Sequence, residues 1–340
     1  MNILIVGAGA IGQVFGYHLS LSGAEVSFFI KEKYKEKYND KLQTGLLLYS
    51  INKKKYLEFR SFKILTTFEE VKQTHWDQVY LCIPSTGLSP NWLEDFRDVS
   101  QSATLVSLQP GIEDQDLILK YYPRENLVTG MIAFASYDAP LPNETEGFVA
   151  GAFCRGESRA LQRCKSDKIQ RKSCVAYWFP PLSQCFFTGA RAYDVVSALK
   201  AGHLPAKTHK DVIKQTAFLN AVFMVVISAL EQEGWSIKKF CKNRDRLNLV
   251  DGAFKEVLLI VAKKLKLKKP LSCFIFRTCY LKIFLKFASG FSPFPFEELI
   301  QSHFTKVGAQ TRLMMQTYVK LGKVYGLKTL FLEQLVNKER

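Results

Sequence analysis

The chain has 340 residues, of which 47% are hydrophobic and 23% charged, an ordinary globular composition that allows two domains and a large core. The formal net charge of +16 favours anionic ligands and is compatible with nucleic acid or a membrane surface as a partner. The eight cysteines form no C-x-x-C pair, which argues against a zinc site or a disulfide framework and is typical of reduced thiols.

The beginning of the chain predicts a strand, a glycine turn and a helix. Residues 2–6 form a continuous apolar run, typical of a buried parallel strand, and residues 11–22 carry apolar side chains at helical spacing. The G-x-G-x-x-G motif between them therefore stands in the context that a dinucleotide-binding turn requires. The predicted cofactor-binding residues of this turn are Gly7, Ala8, Gly9, Ala10, Ile11 and Gly12.

Each glycine of the motif has a physical role. Gly7 allows the tight turn, Gly9 lets the backbone approach a pyrophosphate, and Gly12 lets helix and strand pack closely. The N-terminus of the following helix offers unpaired N–H groups to the phosphates. The alternative is a glycine-rich turn without a ligand.

The residue after the second predicted strand, 24–30, favours NADP(H) over NAD(H). An NAD-specific domain usually has an acidic residue about 20 residues past the glycines, where it binds the ribose 2′-hydroxyl. Here the position holds Lys31, with Lys33 and Lys35 close behind. A cation suits a 2′-phosphate; the alternative is a solvated charged loop.

Further strands are expected after these two. Because ligands of an open parallel sheet bind beyond the carboxyl ends of the strands, the turns that contain Pro84 and Pro110 are predicted to line the cofactor crevice. The predicted strands are 45–50, 55–59, 62–67, 77–83, 103–108, 126–134, 147–153 and 174–179.

The second half of the chain changes to helical periodicity. A helix over 190–201 is followed by the break Gly202-His203-Leu204-Pro205, and further helices are predicted over 211–232, 252–267, 296–307 and 310–325. The expected fold class is α/β, with an NADP-binding Rossmann-type domain over 1–206 and an all-helical substrate and dimerisation domain over 207–340. The sequence leaves undecided whether the protein forms a homodimer.

No targeting or membrane segment is expected. The first residues predict a cofactor strand rather than a secretory leader, so a cytoplasmic location is predicted. No uncharged apolar stretch reaches the about 18 residues of a membrane span; the nearest, 217–230, contains Asn220 and is interpreted as a buried core helix. The basic blocks contain few aromatic residues and no nucleic-acid-binding motif, so no nucleic acid is expected as a partner.

Several segments together resemble the ketopantoate reductase (2-dehydropantoate 2-reductase) family. They are MNILIVGAGAIGQVFGYHLSLSGAEVSFFIK, GLLLYS, LVSLQPGIED, FTGARAYDVVSALKAGHLPA and HFTKVGAQTRLMMQTYVKLGKVYGLKT. The resemblance implies an oxidoreductase of pantothenate biosynthesis that uses NADPH to reduce a 2-keto acid to a 2-hydroxy acid. It also implies a site in the cleft between a Rossmann domain and a helical domain.

The resemblance implies functional residues that this chain keeps only in part. The family has an Asn in the turn after a central strand, where this chain has Pro110, and a Glu on the last long helix, where it has Gln310. The family also has a Lys followed by two Asn on one face of the first helix of the helical domain. One alignment keeps Asn220 and the other keeps Lys214, and the two residues point to different sides of a regular helix.

Three hypotheses follow from these residues. The first is an NADP(H)-dependent reductase of a small 2-keto acid, with Lys214, Asn220 and Gln310 as the catalytic residues and Lys306 as the next candidate proton donor. The second is a catalytically degenerate dinucleotide-binding or regulatory protein of the same fold. The third is a peripheral protein that binds anionic membrane through the basic run 263–269, after the apolar residues 254–262.

Overall fold

The structure is a computed structural model that describes residues 1–100, 102–141, 173–268 and 278–337. Twelve strands are described in these ranges, and the predicted strand over 147–153 lies outside them. The strands are β1 (Asn2–Val6), β2 (Glu25–Phe29), β3 (Leu46–Ser50), β4 (Lys55–Phe59), β5 (Phe62–Leu65), β6 (Gln78–Leu81), β7 (Thr104–Ser107), β8 (Leu127–Met131), β9 (Ala135–Ala139), β10 (Cys174–Trp178), β11 (Cys185–Thr188) and β12 (Ala206–Thr208).

The helices of the described residues surround the sheets in the first half and pack on one another in the second. They are α1 (Ala10–Leu21), α2 (Lys35–Thr44), α3 (Phe68–Lys72), α4 (Pro90–Ser100), α5 (Asp114–Ile118), α6 (Ala192–Ala201), α7 (Val212–Gln232), α8 (Ile237–Lys242), α9 (Arg244–Lys264), α10 (Thr278–Phe291), α11 (Phe296–Lys306), α12 (Gly308–Val324) and α13 (Leu330–Asn337).

The main sheet has eight strands in the order β12-β11-β8-β7-β6-β1-β2-β5. Strands β5, β2, β1, β6, β7 and β8 are parallel, whereas β11 and β12 run in the opposite direction. The central strands are covered on both sides, and Ile3, Leu4 and Ile5 have no exposed surface. This burial explains why β1 is a continuous apolar run in the sequence. The predicted α/β fold with a helical C-terminal region is confirmed.

A smaller sheet lies beside the main one. Its order is β4-β3-β10-β9, with β3 parallel to β10 and the other pairs antiparallel. Asp138 in β9 forms an ion pair with Lys306 at the end of α11, with 2.9 Å between Oδ2 and Nζ. The small sheet is thus linked directly to the helical region.

The helical region is built around α7, which packs against α9 and α12. By length and composition α7 could cross a membrane, and it is the one helix of the described residues that meets this test. However, 61% of its most apolar window is buried inside the protein, as the interpretation of 217–230 as a core helix predicts. The division into domains at residue 206 stays a prediction; β12 continues the main sheet to Thr208.

Seven of the described helices were not predicted: α2, α3, α4, α5, α8, α10 and α13. Helices α2 and α10 illustrate two different reasons. Helix α2 contains nearly all polar residues, and Tyr38 is its only buried residue. Its sequence therefore has too weak an apolar stripe to indicate a helix, and one side chain holds it to the core. Helix α10 has apolar residues at helical spacing, with Lys282, Lys286 and Ser289 on the remaining face, so the sequence carries a signal for it that the prediction missed.

His18 on α1 is a buried histidine that joins α1 to the turn after α6. Its side chain is 3% exposed, and its Nδ1 lies 2.7 Å from the carbonyl oxygen of Gly202, to which it donates. Burial lowers the pKa of His18 to about 4, with smaller contributions from Lys53 and His203, against the opposing effect of the Gly202 hydrogen bond. The imidazole is therefore neutral in the folded protein at pH 7.

This histidine predicts a specific loss of stability in acid. Because its pKa is near 6.5 when unfolded and about 4 when folded, the unfolded chain binds the proton first, and stability falls as the pH drops through this window. We expect the wild type to lose about 3 kcal/mol between pH 7 and pH 4 beyond the loss in His18→Asn, measured by urea unfolding. Asn keeps a donor for Gly202 but does not titrate. Equal losses in both proteins would contradict the prediction.

Candidate functional site: a cleft at the carboxyl edge of the main sheet

The glycine turn between β1 and α1 is held by close backbone contacts. Gly7 has φ +99°, and a Cβ there would lie 2.8 Å from the carbonyl oxygen of Cys82. A Cβ on Gly12 would lie 2.1 Å from the carbonyl oxygen of Gly7, so only glycine lets the helix come this close. Gly9 differs from both, because a Cβ there would have nothing within 4 Å. The space over Gly9 is open for a ligand.

The N-terminus of α1 faces this open space without a protein cap. Gly9 is the N-cap residue, no side chain caps the helix, and its first turn contains no acidic residue. The carbonyl of Ala8 is fixed by two donors, Gln13 Nε2 at 2.8 Å and the Tyr38 hydroxyl at 2.6 Å. The Ala8 carbonyl oxygen is therefore engaged by the protein. Because no side chain caps α1, the N–H groups of its first turn can bind an anion, as they bind phosphates at other helix N-termini.

Tyr38 connects α2 to the glycine turn. The side chain is 5% exposed, and burial, with a contribution from Asp138, raises its pKa to about 12, whereas a hydrogen bond with Gln13 lowers it. The phenol is therefore a neutral donor to Ala8. A single aromatic residue in a charged segment was the one sequence signal for this role.

Lys31 lies just beyond β2, on the same edge of the sheet. Its side chain is exposed, and its backbone is the N-cap of a short 3-10 turn over Glu32–Tyr34. The neighbouring acid, Glu32, pairs instead with Lys35 at 3.5 Å. Across the described ranges of the chain no carboxylate forms an ion pair with Lys31, so its charge can meet a ligand phosphate.

The second wall of the cleft is the turn after β6. Ser85 is buried there, and its N–H donates to Oε1 of Gln310 on α12 at 2.8 Å. The Ser85 hydroxyl donates to Oδ2 of Asp114 at 2.7 Å, and the N–H of Gly111 donates to the same oxygen at 2.6 Å. The turns after β6 and β7 and the helical region thus meet at one cluster of hydrogen bonds.

Asp114 is the carboxylate of this cluster, and the sequence reasoning missed it. Burial raises its pKa, opposed by the hydrogen bonds from Ser85 and Gly111. The buried Tyr318 on α12 lies close enough for Asp114 to contribute to the rise in the pKa of the tyrosine. The available signal was an acid three residues after Gly111, in a turn already predicted to line the crevice.

Pro110 has no N–H to donate in this turn, but its neighbour organises the loop. The amide of Gln109 donates to the carbonyl oxygens of Leu81 at 2.9 Å and Ile83 at 2.8 Å. Ser107 in turn donates to Oε1 of Gln109 at 2.8 Å. Pro84 precedes the short 3-10 turn at 85–87 and is exposed. Both prolines are therefore at the cleft, where they shape the backbone.

Lys214 lies at the start of α7, in a different environment. Its Nζ pairs with Oδ2 of Asp211 at 3.1 Å, and the lysine side chain is 53% exposed. The helix start is tied to the end of β11, where the Thr188 hydroxyl accepts a hydrogen bond from the N–H of Val212. Since β11 runs against the parallel strands, this contact lies toward the edge at which they begin.

Asn220 is half-buried two turns further along α7. The other residues that the two alignments place at the family's Lys and Asn positions are either apolar or already hydrogen-bonded within the helix. Thr216 donates its hydroxyl to the carbonyl of Val212, and Val222 and Met224 are buried in the helical core. The structure therefore does not produce a face with one lysine and two amides on α7.

Lys306 lies at the end of α11, and its side chain is 65% exposed. It pairs with Asp138, and the charge of Asp138 acts on Tyr38, which bonds the carbonyl of Ala8. Gln310, four residues later in the same corner between α11 and α12, bonds Ser85. The segment between α11 and α12 thus contacts the turn after β6 through Gln310 and the small sheet through Lys306.

The comparisons with known proteins agree with this geometry. Residues 3–143 match the family model described as "Ketopantoate reductase PanE/ApbA". Residues 3–143 therefore resemble a PanE/ApbA domain, and the match covers less than half of the chain. The matched residues include the glycine turn, Lys31, Ser85 and Asp114. A comparison with curated proteins finds no significant match.

Solved structures extend the likeness in fold to the whole chain. A 2-dehydropantoate 2-reductase from Geobacter metallireducens GS-15 is similar over 100% of both chains, with a TM-score of 0.70 and 16% identity. A PanE/ApbA family ketopantoate reductase from Ralstonia eutropha JMP134 covers 99% of this chain and 96% of its own, with a TM-score of 0.68 and 14% identity. A D-mandelate dehydrogenase bound to NADH and anilino(oxo)acetate is similar over 99% of this chain and 96% of its own, with a TM-score of 0.63 and 18% identity.

Substitution by valine is predicted to have opposite outcomes at Gly9 and at Gly12 of the glycine turn. Gly12→Val places side-chain atoms on the Gly7 carbonyl and is expected to destabilise the protein by about 3 kcal/mol or more. Gly9→Val meets no protein atom, so the melting temperature should stay within a degree or two of wild type while NADPH binding, measured by fluorescence titration, is lost. Unchanged NADPH affinity in folded Gly9→Val would refute the role of this turn.

Proposed function

We propose that the protein is an NADPH-dependent reductase that converts a small 2-keto acid, similar to ketopantoate, to the 2-hydroxy acid. The observation that carries this proposal is the open space over Gly9 at an uncapped helix N-terminus, within a segment that resembles a PanE/ApbA domain. The similar structures are reductases or dehydrogenases, and one of them holds NADH with anilino(oxo)acetate. The preference for NADPH rests on Lys31.

The residues that we assign to the cofactor occupy one edge of the main sheet. Gly7, Ala8, Gly9, Ala10, Ile11 and Gly12 form the turn for the pyrophosphate, Lys31 faces the 2′-phosphate, and Pro84 and Pro110 shape the adjacent turns. When bound, the reduced nicotinamide supplies a hydride to the ketone carbon. The protein must then stabilise the alkoxide and supply one proton to its oxygen.

Gln310 is placed to act on the substrate rather than on a proton. Its Oε1 is already bound by the N–H of Ser85, so its Nε2 keeps two donors for a carbonyl or carboxylate oxygen. A family glutamate at this position would accept from a hydroxyl, whereas Gln310 donates. We therefore infer that the substrate presents an acceptor oxygen here, such as a carbonyl, carboxylate or hydroxyl oxygen.

The proton donor is one of two lysines. Lys214 is the position that family resemblance implies, but it pairs with Asp211 at the start of α7. Lys306 pairs with Asp138 of β9, whose charge acts on Tyr38, and it lies in the corner that also holds Gln310. We propose Lys306 as the donor, with Asp138 holding its ammonium group in place. Asn220, half-buried on α7, remains the proposed amide contact of the substrate.

A binding or regulatory protein of the same fold is the second candidate. It is favoured by Pro110, which offers no donor, and by the engagement of Lys214 and the Gln310 oxygen in protein contacts. In this case NADPH binding persists without turnover of any keto acid. Oxidation of NADPH, followed at its absorbance against a panel of 2-keto acids that includes ketopantoate, separates the two candidates.

The cofactor preference has a direct test at Lys31. Losing its charge should weaken NADPH binding by about 1.5–3 kcal/mol, the range for hydrogen bonds to charged groups, and should leave NADH binding unchanged. Calorimetric titration of Lys31→Ala with both dinucleotides measures this. Lys33→Ala is the matched control, because that lysine lies over the ring of Tyr34. Wild type that binds NADH as tightly as NADPH would contradict the assignment.

The two lysines give the test of the mechanism. Lys306→Ala should lower kcat by about 10²-fold or more, the effect of losing an acid–base group, with NADPH affinity retained. Lys214→Ala should change kcat by less than about fivefold, and Lys120→Ala, on an exposed residue, serves as the control for charge. A larger loss of kcat in Lys214→Ala than in Lys306→Ala would assign the proton donor to Lys214. Asn220→Ala should raise KM with little change in kcat.

A further inference from the structure

Helix α10 presents a large apolar face to solvent. Four aromatic side chains and one isoleucine on this helix are each more than half exposed, and the rings of Phe287 and Phe291 stack with 4.1 Å between their centroids. Apolar patches of this kind on a soluble protein mark an interaction site. The aromatic face consists of Tyr280, Ile283, Phe284, Phe287 and Phe291.

Lysines surround the aromatic face. Lys282 and Lys286 lie on α10 itself, near Cys241 of α8, where their charges oppose the rise in the thiol pKa that burial causes. Helix α8 packs beside α10 and carries three exposed lysines. Helix α10 contains no acidic residue. The basic rim consists of Lys238, Lys239, Lys242, Lys282 and Lys286.

The nearby acids are used inside the protein. Asp251 accepts from both the N–H and the hydroxyl of Thr278, each at 2.9 Å, and so caps the start of α10. Glu297 accepts from the N–H of Ile237 at 2.9 Å at the start of α8. Both carboxylates stabilise helix N-termini, so they leave the positive charge of the rim largely uncompensated toward solvent.

We propose that the aromatic face and its basic rim bind the surface of an anionic membrane. An interfacial helix buries aromatic and aliphatic side chains at the headgroup boundary while its lysines meet the lipid phosphates. The net charge of +16 adds attraction at longer range. A second copy of the chain fits less well, because two basic rims would then meet across the interface, and like charges oppose such an association.

The position of this surface corrects the membrane hypothesis drawn from the sequence. That hypothesis used residues 254–262 as the apolar face, but Phe254, Val257 and Val261 are buried in the helical core. Lys264 in the basic run pairs with Asp116 at 2.7 Å. The apolar surface that reaches solvent belongs to α10, which the sequence pattern did not single out.

Vesicle co-sedimentation of the full-length protein tests the proposal. Wild type should bind vesicles of equal parts phosphatidylserine and phosphatidylcholine, bind pure phosphatidylcholine at least about tenfold more weakly, and dissociate as salt is raised to about 0.5 M. The double variant Ile283→Ser, Phe287→Ser and the triple variant Lys238→Glu, Lys239→Glu, Lys242→Glu should each weaken binding about tenfold or more. All changed side chains are exposed, so folding should be preserved, and NADPH binding reports it.

Matched variants elsewhere on the surface control for general effects. Tyr193→Ser removes an aromatic side chain that is 74% exposed on α6, and Lys120→Glu, Lys200→Glu, Lys320→Glu reverses three exposed charges. These controls should bind vesicles within about threefold of wild type. Equal losses in the controls, or no binding of wild type to anionic vesicles, would overturn the proposal. A wild-type dimer in light scattering that Ile283→Ser, Phe287→Ser dissociates would assign the face to a second copy instead.

Discussion

The glycine turn depends on one backbone contact, that of α1 with the end of β1. A single methyl group on Gly12 would lie 2.1 Å from the carbonyl oxygen of Gly7, so helix and turn meet backbone to backbone. That contact fixes the helix start at the carboxyl edge of the sheet, with Gly9 uncovered. Tyr38 and Gln13 then hold the carbonyl of Ala8 from the protein side. The anion-binding character of the cleft depends on this arrangement of a few peptide groups.

The cleft becomes a site only because the helical region reaches it. Gln310 bonds the turn after β6, and Lys306 pairs with β9 of the small sheet. Both residues come from the corner between α11 and α12, so one short segment joins the helical region to both sheets.

The parts of the fold and site that could be predicted are those encoded by local pattern. The run Ile3, Leu4, Ile5 indicates a strand buried on both faces, and the glycine spacing indicates the turn, because both depend on neighbouring residues alone. The bond between Ser85 and Gln310 joins residues 225 positions apart, and no local pattern encodes it. Asp114 is one of many acids in the sequence and gains its role only from burial. The exposure of the aromatic face of α10 depends on which helices pack against it, so it could be seen only in three dimensions.

The burial of α7 has a consequence for the order of events during synthesis. Its apolar window is covered by α9 and α12, which are both encoded after it. While the chain is being made, residues 212–232 therefore leave the ribosome before the helices that will shield them exist. The nascent chain exposes a segment with the length and composition of a membrane span until Gly308–Val324 has been translated. Chaperone engagement during that interval is the expected cost of a core helix placed first.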